Sequence, residues 1–318
     1  MQIRWLILAF LPLLATAQDT LLPFRVQMLN LQQTCSPSSQ FDHGRNIISL
    51  NGQFDYSAYS TTSFIQSQRL QLGYSTRLKQ HALALNGDSY STSTYKNQFL
   101  NIQYAYTFRF KNKIFGKQLA FIPGIGYTYH RNVIQFDKVL FYDMISQGQG
   151  FGATSKELGP ASVLTYSTFQ LSLLLRSEKF YIQLFTTNLT NLNPSFYPFN
   201  QYSTHIITTV SMENRVHAAA KLIQHKQFDL WLNGHLQSIS QASAGATVTC
   251  FKNLMLSYNQ YFRISEKEFP ANTSELSIGF YTKHLRTFFR YKNNTNPFIP
   301  YFFYGKFSIG LSAAIGKQ

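Results

Sequence analysis

Apolar and polar residues alternate with a period of two over much of this chain. Residues 99–110 give the cleanest example, because six apolar side chains occupy every second position. Successive side chains of a strand point to opposite faces, so the pattern predicts a strand with one fully apolar face. Contact with lipid requires such a stripe, whereas a soluble sandwich strand would seldom carry two Tyr and two Phe in succession on its buried face. The apolar positions are Leu100, Ile102, Tyr104, Tyr106, Phe108 and Phe110, opposite Asn101, Gln103, Ala105, Thr107 and Arg109.

A second stretch, residues 165–189, predicts a β-hairpin of membrane-spanning length. Its two alternating runs are joined by the polar residues 176–179, and each run is about ten residues long. A tilted strand of roughly 9–11 residues crosses a bilayer, so the length fits. Leu174 is the one exception to the alternation in the first run. One face is predicted to carry Phe169, Leu171, Leu173, Leu175, Phe180, Ile182 and Leu184, opposite Thr168, Gln170, Ser172, Tyr181, Gln183 and Phe185.

Similar segments recur along the chain, about fifteen in all. Besides the two stretches above they are 47–56, 64–78, 80–86, 117–133, 203–212, 216–223, 228–236, 242–251, 254–264, 275–282, 284–292 and 306–315. Bacterial outer-membrane barrels almost always have an even number of strands. We therefore expect an all-β fold, a single transmembrane antiparallel β-barrel of about 14 strands over residues 46–318. Pro123 and the neighbouring glycines predict a bulge or bend in 117–133.

The longest interruptions of the alternation are predicted to be extracellular loops. They are residues 134–164, 191–201 and 293–304, which are rich in Gly, Pro or aromatic side chains. Long loops of compact domains are often functional, and the extracellular loops of barrels are their long ones. These three segments are therefore the candidate partner-binding surfaces, although the sequence does not single out partner-binding residues within them.

Composition agrees with a barrel. The chain is 44% hydrophobic and 16% aromatic, with only 13% charged residues and a mean hydropathy of -0.16. A soluble domain typically carries about 25% charged residues. An outer-membrane barrel combines low charge with moderate hydropathy, because each strand has one lipid-facing and one polar face, flanked by aromatic girdles.

Residues 1–17 have the pattern of a cleaved signal peptide. Arg4 precedes an apolar run over 5–14, and small residues at 15–17 predict cleavage between Ala17 and Gln18. The run is shorter than the roughly 20 residues of a membrane-spanning helix. Export and barrel composition together predict the outer membrane of a bacterial cell. Residues 18–45 are irregular and are expected to be a lead-in segment or a plug in the lumen.

The formal net charge of +15 does not predict nucleic-acid binding. That function needs basic residues clustered on one face or element, and here they are scattered at strand ends and turns, as at Lys111, Lys179 and Lys252. Such residues suit solvated turns and contacts with anionic outer-membrane lipid. A basic lumen or mouth that attracts an acidic partner is the alternative, which the sequence leaves open.

No cofactor, metal site or enzymatic activity is expected. Cys35 and Cys250 lie far apart, no ligand spacing occurs, and no His is followed by Ser two positions on. A cross-strand pair of His235 with a neighbouring Ser remains open. The polar residues Arg109, Asp229, Asn233, His235, Asn259 and Arg263 would lie on lumen-facing positions. They leave a second hypothesis, a porin or transporter for a small solute.

The chain resembles the PorP/SprF family of the type IX secretion system of Bacteroidota. The resemblance is carried by FQLSLLLRSEKFYIQLFTTNL at 169–189, YSTH at 202–205, and NLMLSY at 253–258 with SEL at 274–276. Residues 29–39, LNLQQTCSPSS, depart from the family's N-terminal pattern. The resemblance implies a non-enzymatic outer-membrane component that assists secretion or surface attachment of cargo proteins, such as gliding-motility adhesins. Its implied partners are other type IX secretion subunits and a secreted or surface-anchored cargo protein.

Overall fold

The computed structural model describes most of the region predicted to form strands. The described residues are 46–57, 65–92, 95–110, 119–134, 145–146, 150–151, 163–189, 212–237, 241–251, 253–263, 272–282, 285–295 and 304–315. The predicted signal peptide, its cleavage site at Ala17 and Gln18, and the lead-in segment at 18–45 lie outside this part. Within the described ranges, no helix has the length and apolar character needed to traverse a bilayer.

Fourteen strands form the sheet in the part of the chain that the structure describes. They are β1 (Asn46–Ser57), β2 (Ile65–Leu78), β3 (His81–Thr92), β4 (Tyr95–Tyr106), β5 (Leu119–Ile134), β6 (Val163–Arg176), β7 (Phe180–Thr187), β8 (Glu213–Gln224), β9 (Phe228–Gln237), β10 (Gln241–Cys250), β11 (Leu254–Arg263), β12 (Asn272–Tyr281), β13 (Leu285–Thr295) and β14 (Tyr304–Ile315). Phe108–Phe110 extends β4 beyond Thr107. A two-residue ladder joins Ile145–Ser146 to Gly150–Phe151.

Each strand pairs antiparallel with the next, and the first pairs with the last. The β4–β5 pairing runs from Tyr95↔Ile134 to Ala105↔Gly124, and the β1–β14 pairing runs from Asn46↔Ile315 to Ser57↔Tyr304. The pairings therefore return on themselves as a closed ring. This confirms the expected antiparallel barrel of about 14 strands. The fifteenth predicted segment, 203–212, lies outside the described residues except for Met212, and β7 pairs directly with β8 without it.

One detail of the strand prediction is wrong. The segment predicted over 80–86 continues to Thr92, because its polar residues pair with β2 as far as Ser67↔Thr92. Of the bulge or bend predicted in 117–133, the bulge is absent between Ala120 and Val133, where pairing with β6 is regular. The irregularity is instead in β4, which is interrupted at Thr107. Continuing its register places Pro123 opposite the end of β4, and proline has no N–H to donate.

The two ends of the barrel differ in their connections. Short connections at 79–80, 177–179, 225–227, 251–253 and 282–284 lie at one end, which we call the short-turn end. The longest connections, 135–162 and 188–212, lie at the opposite, long-loop end. The predicted interruptions at 134–164, 191–201 and 293–304 all fall largely between strands at this end. Their conformation is, apart from the short ladder, outside the described residues.

The two faces of the wall confirm the predicted alternation. Large apolar side chains are exposed on the outside of the barrel, and residues on the inside are mostly small or polar and buried. In β4, Leu100, Ile102 and Tyr104 are exposed, whereas Asn101 and Gln103 are buried. Apolar outside and polar inside is the pattern of a protein whose outer wall faces lipid. The protein is therefore a transmembrane antiparallel β-barrel of the outer-membrane type.

Candidate functional site

The interior of the barrel is packed with apolar side chains near the short-turn end. We call this cluster the apolar layer; each member lies within five positions of the short-turn end of its strand. Trp231 is 0% exposed, and Phe288 of β13 packs against the layer. Side chains on the wall of an open aqueous pore would contact water, so the interior is filled at this level. The members are Ala82, Ala105, Ala120, Ile122, Leu174, Tyr181, Ala219, Trp231, Met255 and Tyr281.

The apolar layer arises where strands carry apolar residues on both faces. Leu174, the exception to the alternation of β6, points inward and is buried. Tyr181 and Trp231 are likewise inward residues between exposed or half-exposed apolar neighbours. A strand buried on both faces reads as a continuous apolar run instead of an alternation. Such runs therefore mark the level at which both faces of the wall are covered.

A hydrogen-bonded amide network lies above the apolar layer on the wall formed by β4, β5 and β6. Asn101 Nδ2 donates to Thr128 Oγ1 at 2.8 Å and to Gln170 Oε1 at 3.0 Å. Gln170 Nε2 donates to the same Thr128 hydroxyl at 2.9 Å. Buried amides are costly unless they are hydrogen-bonded. The network therefore links three adjacent strands on their inner face.

Another part of the wall, β9 to β11, carries a second amide network. Asn233 and Asn259 both lie opposite Gly245, so β10 separates them in the sheet. Asn233 Nδ2 nevertheless donates to Asn259 Oδ1 at 2.8 Å. A Cβ at Gly245 would collide with Asn259 Oδ1, so only the missing side chain leaves room for this contact. Thr247 Oγ1 donates to Ser257 Oγ at 2.9 Å alongside.

The described interior carboxylates are paired with cations. Glu275, which is 0% exposed, lies 3.4 Å from Arg290 Nε and accepts a hydrogen bond from Tyr261 at 3.2 Å. The ammonium of Lys292 lies 4.0 Å from the centre of the Tyr261 ring. A buried charge must be paired or its cost is prohibitive. The remaining pairs are Arg69–Asp88 at 2.7 Å, Arg215–Glu213 at 2.8 Å and Lys221–Asp229 at 3.3 Å.

Most of the predicted lumen residues lie on the inner face. Asp229, Asn233 and Asn259 are buried there, and His235 is half-buried with its ring stacked on that of His217 at 4.0 Å. Arg109 is exposed in the extension of β4. The side chain of Arg263 is outside the described part of the chain. The polar positions were thus predicted from alternation, but the apolar layer was not, although Leu174 signalled it.

The hydrogen bond that a Ser–His nucleophile needs is not formed at His235 Nε2 among the described residues. Ser243 is its cross-strand partner in β10. A Ser–His nucleophile requires a hydrogen bond between the two side chains, yet His235 Nε2 has no hydrogen-bond partner among the described residues. The described residues also contain no group of three or more His, Cys, Asp or Glu side chains placed to hold a metal ion.

Comparisons with known proteins give structural similarity only. No family model matches the chain, and no curated protein matches it. The CymD monoaromatic hydrocarbon channel is 8% identical, with 92% of this chain and 93% of that chain covered and a TM-score of 0.49. The Pseudomonas putida toluene transporter TodX is 7% identical over 86% and 91%, with a TM-score of 0.48. A Pseudomonas aeruginosa FadL homologue is 7% identical over 88% and 93%, with a TM-score of 0.47.

Proposed function

We propose that this protein is a closed outer-membrane barrel that serves the type IX secretion system as an accessory component. It would assist the secretion or surface attachment of cargo proteins, including adhesins used in gliding motility. The secretion role comes from the PorP/SprF resemblance of residues 169–189, 202–205 and 253–276. The barrel itself supplies the membrane location, and the long-loop end supplies the surface for partners.

The apolar layer is the observation that carries the closed-barrel part of this proposal. Fourteen strands are enough to enclose a conducting lumen unless side chains or loops fill it. Here Trp231, Tyr181 and Leu174 are inaccessible to solvent, and the described interior carboxylates pair with neighbouring cations. An interior of this kind favours a scaffold for protein partners over a diffusion channel.

Affinity purification tests the secretion role. The tagged barrel would be purified from native outer membranes in mild detergent, and co-purifying proteins identified by mass spectrometry. We expect type IX secretion subunits or a large surface adhesin. A matched variant lacking 140–160 keeps both flanking strands, because β5 ends at Ile134 and β6 begins at Val163. It should assemble and lose partners, whereas a misassembled product would show that this segment is structural.

Conductance in planar bilayers tests the closed lumen separately. The purified barrel should show no steady open-channel current. A stable open state, together with recovery of the barrel alone in the purification, would overturn the proposal and establish the alternative, a porin or transporter for a small solute.

A further inference from the structure

A depression of about 380 Å³ lies in the outer wall across β2 to β5. Its floor is Gly87, where an added Cβ would meet nothing within 4 Å. Gly87 pairs with Leu72 on one side and Leu100 on the other, and Leu100 pairs with Tyr129. These apolar neighbours are exposed on the lipid-facing surface. The missing side chain therefore leaves an apolar groove between these side chains on the lipid-facing surface.

A basic rim closes this groove on the side of the long-loop end. One outward-facing position closer to the long-loop end, Ser89, Gln98 and Arg131 are cross-strand partners. Arg131 Nη1 donates to Gln98 Oε1 at 3.5 Å, and Lys96 lies one row farther out, paired with Val133. Successive outward side chains of a strand are about 7 Å apart. Arg131 thus lies about one such distance from the row of Gly87 toward the long-loop end, and Lys96 lies about two.

Neither cation has an acidic partner in the described part of the chain. The ion pairs there join other residues, and Asp88, which borders the groove through β3, is paired with Arg69 on the inner face. Arg131 and Lys96 are both exposed. A cation facing hydrocarbon is strongly destabilising at the bilayer midplane and is tolerated near the interface. Arg131 therefore belongs at headgroup level, directly above an apolar groove.

We propose that this groove binds an anionic membrane lipid. The headgroup phosphate is held by the Arg131 guanidinium, whose planar donors suit phosphate oxygens, with Lys96 adding charge. One acyl chain lies over Gly87 between Leu72, Leu100 and Tyr129. Charge complementarity selects this occupant, because two cations without an acidic partner favour a lipid of net negative charge over a zwitterionic lipid, whose headgroup carries its own cation beside the phosphate. The inference is independent of the secretion role.

The wall also supplies an internal control. A second outward depression, of about 390 Å³, lies over β7 to β9 near Gly234. Its lining residues carry no charge, and a Cβ at Gly234 would make only an ordinary contact, 3.5 Å from the Ser243 carbonyl oxygen. The two depressions are similar in volume and differ in the basic rim. Preference for an anionic headgroup should therefore belong to the first alone.

The test uses the full-length barrel in nanodiscs of phosphatidylcholine mixed with phosphatidylglycerol. Native mass spectrometry would measure the ratio of the two lipids that remain bound to the released protein. We expect enrichment of phosphatidylglycerol. Arg131→Gln should lower that enrichment about fivefold, the effect of losing one surface cation beside an anionic lipid. Gly87→Leu should lower it by filling the groove without any change of charge.

Gly234→Leu is the matched control and should retain the wild-type ratio. All three substitutions are on the outer surface, and assembly is checked by the heat-dependent mobility of the barrel in gels. Equal enrichment in wild type and Arg131→Gln would overturn the proposal, since the guanidinium would then only contact interfacial water. Equal losses at Gly87 and Gly234 would overturn it as well, because any filled depression would then have the same effect.

Discussion

The outer and inner faces of the barrel wall are formed by the same strands but differ in what their side chains contact. The outer face is apolar between its polar rims and tolerates gaps, such as the depressions at Gly87 and Gly234, because lipid can fill them. On the inner face, individual side chains have specific hydrogen-bond partners, as where Asn233 donates to Asn259 across Gly245. The outer face therefore determines where the protein resides, and the inner face determines how rigid and how closed it is. Substitutions at neighbouring positions can separate these contributions.

The largest effect should come from Trp231→Ala, which leaves a cavity in the apolar layer. Truncating a buried aromatic side chain costs about 3–5 kcal/mol, so the free energy of unfolding should fall by about that amount. Urea unfolding in lipid vesicles would measure it. The control is Leu232→Ala, one residue away on the outer face and 47% exposed, which should cost clearly less. Equal costs would mean that the interior at Trp231 is not packed.

A charge on the outer face tests the lipid assignment. Ile102 is 52% exposed near the centre of the apolar stripe of β4. Ile102→Arg should destabilise the barrel by about 2–4 kcal/mol, whereas Gln98→Arg, nearer the long-loop rim, should cost about 0–1 kcal/mol. Membrane assembly in cells and unfolding in vesicles would report both. If Ile102→Arg left assembly and stability unchanged, the assignment of Ile102 to the lipid-facing surface would be contradicted.

Two glycines allow the same substitution on both faces. Gly245→Ala would place a Cβ against both Asn259 Oδ1 and the Tyr258 carbonyl oxygen, so the Asn259 side chain and the backbone of β11 would both have to shift, and the hydrogen bond with Asn233 would break. We expect a cost of about 1–3 kcal/mol for overpacking. Gly234→Ala on the adjacent strand faces outward and should change stability by no more than about 0.5 kcal/mol. Unfolding of the two variants under identical conditions makes the comparison. A larger loss of stability in Gly234→Ala than in Gly245→Ala would contradict this contrast between the two faces.

The smallest effect on stability, within about 0.5 kcal/mol, is expected for Gly87→Leu, because an added Cβ at Gly87 meets no atom within 4 Å and the side chain extends into the lipid-facing groove. Its consequence should appear in bound lipid instead of in unfolding. A large loss of stability in Gly87→Leu would show that the groove is needed for packing within the wall.

Alternation along the chain predicted the fold class, the number of strands and the facing of β4, β6 and β7. These features depend on a period of two within one strand, which is local in sequence. The apolar layer and the groove at Gly87 are properties of several strands in a particular register. Leu174 and Trp231 could have signalled the first, since apolar residues at inward positions mark burial on both sides. Gly87, Leu100 and Arg131 become neighbours only once the register is known.

The pairing of β1 with β14 has a consequence for biogenesis. Asn46 and Ile315 are cross-strand partners although they belong to the first and the last strand of the described chain. Every other pairing of the ring joins strands adjacent in the chain, so hairpins can form by local search, whereas this seam carries the full entropy of closing a long loop. Until it forms, two unsatisfied strand edges remain, which hydrocarbon does not tolerate. We expect the β1–β14 pairing to form last. A chain truncated before Tyr304 lacks β14 and cannot close the ring, so it should stay bound to an assembly factor.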